Sequence, residues 1–325
     1  MNRRDVIKIG LASMAGAALP IPALAYPDKP IRLVIPFSAG GATDVVGRMW
    51  GERMKAKVGT VVPENKGGGG GVIGAAEVAR SAPDGHTFLF GNTSTQVLIP
   101  AIADTPPYDP AKDFQAVYIM AISPTSIVVH ESIPVKTLKE FIDYAKANPG
   151  KLSYGSAGAG TMTNLSGELF KQLIGAPTIT HIPYKGSAPG VTDLAAGHIP
   201  MMTPNVGGPL LQFHRAGKVR ILAVAAKQRL QAAPDIPTAE EAGLPGMIAA
   251  NFNGLFAPAK VPKNIIDLIA NETRAAMADK ALQDQMITSG FEPVLDSGPD
   301  AAQRETLSEL ARWTPIVKSL GFKVQ

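Results

Sequence analysis

Apolar residues recur along this chain in two alternating rhythms. "IRLVIPF" (31–37) is a short, nearly unbroken apolar run and predicts a buried strand. Val45, Val46, Met49, Trp50 and Met54 then fall at helical spacing and predict a helix over 43–54. "TVVPEN" (60–65) reads as a second strand, "VIGAAEVARSA" (72–82) as a helix stopped by Pro83-Asp84-Gly85, and "HTFLFGN" (86–92) as a third strand. This βαβαβ order is the pattern of a parallel, doubly wound sheet. After the loop at 104–114 come "AVYIMAI" and "TSIVVH", parted by Ser123-Pro124. A second round follows. The helix at 135–150 carries Leu138, Phe141, Ile142 and Ala145 on one face, "KLSYGS" is a strand, and the helix at 161–175 is expected to bury Leu165, Leu169, Phe170, Leu173 and Ile174. "TITHIPY" and "HIPMMT" flank a short helix at 190–197, and "VRILAVAA" (219–226) is the last strong strand. Three helices close the chain, over 262–278, 280–289 and 299–320.

Two βα systems of similar size imply two lobes. The mostly helical C-terminal part needs a sheet to cover, and folding it back on the first lobe makes the chain cross between lobes twice. The expected crossings lie near Ser123–Ser126 and Ala225–Gln228, giving one lobe from 26–124 and 228–325 and the other from 125–227. No Ser/Gly linker or internal repeat interrupts this arrangement.

The first 25 residues change the picture of where the protein works. A basic start with Arg3 and Arg4, a short apolar run and the "ALA" ending at Ala25 describe a cleaved export signal, with the paired arginines pointing to twin-arginine export and an ordinary secretory peptide as the alternative. Its removal leaves 300 residues and lowers the formal charge from +4 to +2, because Arg3, Arg4, Lys8 and Asp5 depart with it. A concentrated basic face for nucleic acid is therefore not expected. Cysteine is absent, which excludes thiol catalysis, cysteine-based zinc sites and iron–sulfur clusters.

Two glycine-rich turns carry the candidate chemistry. "PFSAGGATD" (36–44) and "YGSAGAGTMTNL" (154–165) each lead from a strand into a helix, where free amide N–H groups and the helix dipole favour an anion. One such turn is common in α/β folds; two in different lobes describe a cleft that grips an anion from both sides. Neither has the lysine of a phosphate-binding P-loop, and the G-x-G-x-x-G spacing inside "KGGGGGVIG" (66–74) is read as a flexible turn. The five histidines show no metal-binding spacing, so no metal or cofactor is expected. No nucleophile elbow or nucleophile–base pair is visible, which disfavours an exported hydrolase. Each candidate has a plainer alternative. Asp44 suits a helix start, Lys185 a solvated surface, and Phe37, Tyr184 and Phe252 a core rather than a ligand wall.

Taken together, "YPDKPIRLVIPFSAGGATDVVGRM", "VVPENKGGGGGVIGAAEVARSAPDGHTFLFG", "VKTLKEFIDYAKANPGKLSYGSAGAG", "HIPYKGSAPGVTDLAAGHI" and "GLFAPAKVP" resemble the Bug family, the extracytoplasmic solute receptors of tripartite tricarboxylate transporters. The resemblance spans essentially all of the chain after Ala25. It implies a type II, Venus-flytrap periplasmic binding protein of α/β class: a monomer without cofactor that binds a small carboxylate and docks on the transporter's integral membrane subunits. Carried over by position, the first lobe would contribute Phe37, Ala39, Gly40, Gly41, Thr43, Asp44, Thr93 and Ser94, and the second Ser156, Ala157, Gly160, Thr161, Tyr184 and Lys185. Where relatives commonly read "MFDN", this chain has "MMTPNV" (201–206), with Pro204 or Asn205 opposite the usual aspartate. That loss favours a plain carboxylic acid over an amino acid. A sensor that signals to a membrane partner is the alternative function.

Overall fold

The computed structural model describes residues 26–103 and 105–319, so the expected export signal lies outside the described residues. Strand β1 (Ile31–Ile35), helix α1 (Ala42–Val58), β2 (Val61–Asn65), α2 (Val72–Ala79) and β3 (Thr87–Asn92) form the first βαβαβ unit, with β1 parallel to both β2 and β3. Ile31, Leu33 and Ile35 pack on the face that Val46, Trp50 and Met54 of α1 cover, whereas Val34 belongs to the opposite face. Burial on both sides is why β1 reads as a continuous apolar run.

The chain continues through a π-helical turn at Ser94–Leu98, the short α3 (Ile99–Ile102) and the long β4 (Phe114–Pro124). It then enters a second sheet: β5 (Ser126–His130), α4 (Leu138–Ala147), β6 (Ser153–Ser156), α5 (Met162–Ile174), β7 (Thr180–Pro183), α6 (Ser187–Ala195), β8 (Met201–Met202), α7 (Gly208–Arg215) and β9 (Val219–Val224). The last part is β10 (Ala250–Pro258), α8 (Lys263–Met277), α9 (Lys280–Thr288), β11 (Glu292–Pro293) and α10 (Pro299–Ser319). Strand order is β11-β4-β10-β3-β1-β2 in one sheet and β7-β6-β8-β5-β9 in the other. Helices α8 and α10 pack on β4, and α9 on β11, so the C-terminal helices cover the first sheet.

Several expectations need correction. The first sheet is mixed rather than parallel: β10 runs antiparallel to β3 and β4 through its centre. "VRILAVAA" is therefore not the last strong strand. "ANFNGLFAP" concealed β10 because Asn, Gly and Pro are poor strand formers, and here burial between neighbours decides instead. The return passage lies at Ala249–Ala250, later than Ala225–Gln228. Between them Leu230, Ala233 and Ile236 pack with Val206, Leu210 and Ile221 of the second lobe. Thr125, Ala225 and Ala249 are joined by backbone hydrogen bonds of 2.8–3.0 Å, so the two passages lie side by side. Helix α6 starts at Ser187 rather than 190, α7 and the 94–102 segment were not anticipated, and Leu173 is 39% exposed.

Candidate functional site

Helix α1 opens onto the space between the lobes with an unusual lack of caps. Its N-cap is Gly41, which has no side chain to receive the first amides, and the N–H groups of Ala42 and Thr43 stand where intrahelical acceptors do not reach. The loop before it is held by Asp44. One carboxylate oxygen accepts the Gly40 amide at 2.8 Å, the other Asn65 Nδ2 at 2.8 Å, and Arg48 Nε lies 2.9 Å from both. Asn65 Nδ2 also donates to the Phe37 carbonyl. Asp44, 2% exposed, thus shapes the turn from within and leaves the cavity side to backbone amides.

The first lobe adds a second polar strand end. Asn92, at the close of β3, accepts the Ser94 and Thr95 amides through Oδ1 and donates through Nδ2 to Thr43 Oγ1 (3.0 Å). The Thr43 hydroxyl then donates to Asn253 Oδ1 (3.0 Å). Thr93 accepts the Phe252 amide and so ties the turn to β10. Ser94 Oγ accepts the Met162 amide of the other lobe at 3.0 Å.

In the second lobe the loop 157–161 is mostly self-satisfied. Thr163 Oγ1 accepts the Ala157 amide, Asn164 Oδ1 the Gly160 amide, and Ser156 Oγ the Gly158 amide. Thr161 caps α5 by accepting from the Asn164 amide and stands 2.8 Å from Thr163 Oγ1. Sequence reading found no nucleophile–base pair, yet Ser156 Oγ lies 2.7 Å from His181 Nε2. The pair is a fastener between β6 and β7: Ser156 is 0% exposed, and burial pushes the His181 imidazole down to about 4, keeping it neutral. Tyr154 stacks on that imidazole.

These pieces enclose a cavity of about 20 Å³ between the lobes. Of the residues expected from sequence, Phe37, Gly41, Thr43, Ser94, Ala157, Thr161 and Asn205 line it. Gly40 belongs to an adjoining space of about 30 Å³, which shares Gly41, Ala42, Ser187 and Asn205 with the first. Asp44, Thr93, Ser156 and Gly160 support the wall from behind, and Ala39 and Lys185 are exposed. Tyr184 donates to Asp193 (2.8 Å) and packs against Gly155 and Gly190, so its hydroxyl serves the second lobe's own surface. Ala42, Asn92, Ser187 and Asn251 line the cavity outside the expected set, as does Thr163 at the junction of the second glycine-rich turn and its helix. Ala42 and Thr163 were legible in principle as the first turns of the two helices. Asn251 was not, because its strand was hidden.

Among the described residues no ionised side chain lines the cavity. Its positive character comes from the N-terminal ends of α1 and α5, which converge from opposite lobes. A cleft with two helix N-termini, neutral donors and hydroxyls between two α/β lobes has the layout of a two-lobe solute-binding protein. The sequence profile described as "Tripartite tricarboxylate transporter family receptor" matches residues 46–322, and the chain belongs to that family. This is a family of receptors, not of enzymes. Solved structures agree. The periplasmic binding protein BugD is 33% identical and superposes with a TM-score of 0.87, covering 92% of this chain and 99% of that one. MatC from Rhodopseudomonas palustris, with bound malate, is 30% identical with a TM-score of 0.85 over 90% and 100% of the two chains. Rpa4515 of R. palustris, with adipate, is 34% identical with a TM-score of 0.86 over 92% and 99%.

Proposed function

We propose that the protein is a periplasmic receptor that captures a small carboxylate between its lobes and delivers it to the membrane subunits of a tripartite tricarboxylate transporter. The observation that carries this reading is the convergence of two helix N-termini, one from each lobe, on a cavity lined by neutral donors. A carboxylate there completes the amides of Ala42 and Thr43 and meets Ser94 and the Thr161–Thr163 hydroxyl pair. Because it bridges donors that neither lobe supplies alone, it favours the closed form. Each charge-assisted hydrogen bond contributes roughly 1.5–3 kcal/mol, and a handful, offset by association and closure, corresponds to affinity of micromolar order. That malate and adipate occupy the relatives MatC and Rpa4515 supports the ligand class, and the family's role supports transport and a periplasmic location. Calorimetry of the chain from Tyr26 onward against a panel of di-, tri- and aromatic carboxylates tests it. Saturable heats for at least one member are expected; folded protein that binds none of them overturns the reading.

A further inference from the structure

The amide oxygen of Asn251 is left free at the floor of the cleft, and the backbone dictates that it is the oxygen and not the nitrogen. Asn205 Nδ2 donates to the Ser123 carbonyl at 2.9 Å. A carbonyl only accepts, so Asn205 must turn its nitrogen toward it and its Oδ1 away. Asn205 Oδ1 accepts from Asn251 Nδ2 at 2.8 Å, which in turn fixes the direction of Asn251 Oδ1. That oxygen is buried and has no partner among the described residues. Asn251 is 2% exposed, lines the cavity together with Asn205, and is paired with Ser123 of β4 within the sheet. The free acceptor thus belongs to a cavity-lining residue whose amide is fixed at its nitrogen, and the Ser123 hydroxyl on the paired strand is likewise buried without a partner among the described residues.

A buried carbonyl oxygen without a donor is costly, and native chains rarely keep one unless something completes it. We propose that Asn251 Oδ1 receives a hydroxyl of the bound molecule, so that the cleft prefers hydroxycarboxylates to unsubstituted carboxylates of the same length. This rests on the carboxylate reading above. The donor is a hydroxyl rather than an ammonium because, among the described residues, no carboxylate lines the cavity: Asp44 is engaged with Gly40, Asn65 and Arg48. An ammonium would be desolvated beside neutral amides without a counter-charge. A methylene in the same place would leave the carbonyl unpaired, which is the situation in which binding sites discriminate most strongly. The rival account is an ordered water on Asn251 Oδ1, since a space of about 20 Å³ admits about one.

The test is calorimetry of the chain from Tyr26 onward with matched pairs: succinate and malate, glutarate and 2-hydroxyglutarate, butyrate and 3-hydroxybutyrate, with aspartate as the ammonium-bearing control. In a pair whose length fits, the hydroxylated member is expected to bind about tenfold tighter or more, and aspartate no tighter than succinate. Asn251→Ala should reduce the discrimination within that pair to about twofold or less. Asn251→Asp should raise aspartate relative to malate by about tenfold. Equal binding within every pair that binds, or a hydroxyl preference that survives Asn251→Ala, assigns the acceptor to water and overturns the inference while leaving carboxylate capture intact. Folded protein that binds no member of the panel overturns both. Should Asn251→Ala fail to fold, the native pairs and Asn251→Asp decide.

Discussion

Single side chains in this cleft divide into those that line the cavity and those that hold the lining groups still, and the two kinds respond differently to substitution. Asp44 belongs to the second kind. Replacing it with alanine frees the Gly40 amide, Asn65 and Arg48 at once, so Asp44→Ala is expected to lower stability by about 2–4 kcal/mol, read as the shift in urea midpoint. An unchanged midpoint would place its role at the ligand instead. Thr161 is of both kinds: it lines the cavity and caps α5, so Thr161→Val should cost about 1 kcal/mol of stability as well as affinity. His181 supplies a pH dependence. Its folded value, lowered to about 4 by burial, lies below its ordinary value of 6.5, so the unfolded chain binds the extra proton first. Stability from this group is present above 6.5 and is lost as pH falls through that window toward about 4. Glu168, which favours the cation, and Lys171, which opposes it, face the same imidazole but leave the direction downward. Urea midpoints of the native protein and His181→Gln between pH 7 and 4 should converge as pH falls; parallel curves would remove His181 from the account.

At the level of elements, the site is two helix starts presented by strand ends, and this much was legible from glycine-rich turns placed between apolar strands and amphipathic helices. The parts that escaped share a physical cause. Strand β10 carries Asn251, Asn253 and Gly254 in a fully enclosed position, where packing overrides local propensity, and so the asparagine floor of the cleft stayed hidden with it. The return passage lies later than expected because 226–249 forms neither helix nor strand, yet buries Leu230, Ala233 and Ile236 between Pro234, Pro237 and polar turns against the second lobe. The helix start itself can be tested without disturbing the fold. Ala42 is the first helical residue of α1, a position where proline is well tolerated, and Gly41 before it has φ −74° and ψ 165°, a conformation compatible with a following proline. Ala42→Pro removes one amide donor and nothing else from the backbone. Carboxylate affinity is expected to fall about tenfold or more while the melting temperature of the unliganded protein stays within about 3 °C. Unchanged affinity would mean that α1 does not hold the anion through its first amide.

For the molecule as a whole, the glycine run 67–71 acquires a meaning that its composition alone did not give. It lies where the lobes meet. Gly68 to Gly71 all have positive φ, and a Cβ on Gly70 would stand 2.5 Å from the Ala159 carbonyl oxygen of the second lobe. Those positions cannot separate closure from backbone strain, since any side chain there is strained in either state. Gly67 can. Its φ is outside the left-handed region, yet a Cβ there would lie 2.8 Å from the Lys185 carbonyl oxygen, next to the place where the Ser38 amide donates to that same carbonyl across the cleft (3.2 Å). An alanine is thus acceptable when the lobes are apart and clashes with backbone when they are together. Because a ligand can shift an open–closed equilibrium only by its differential affinity, raising the energy of the closed form appears directly as weaker binding. Gly67→Ala is expected to lower carboxylate affinity about tenfold, with the melting temperature of the unliganded protein within about 3 °C of the native value. Small-angle scattering at saturating ligand should then show a larger radius of gyration than for the native protein. Native-like affinity and radius together would show that the lobes close without bringing Gly67 against Lys185, and the glycine run would return to being a turn between β2 and α2.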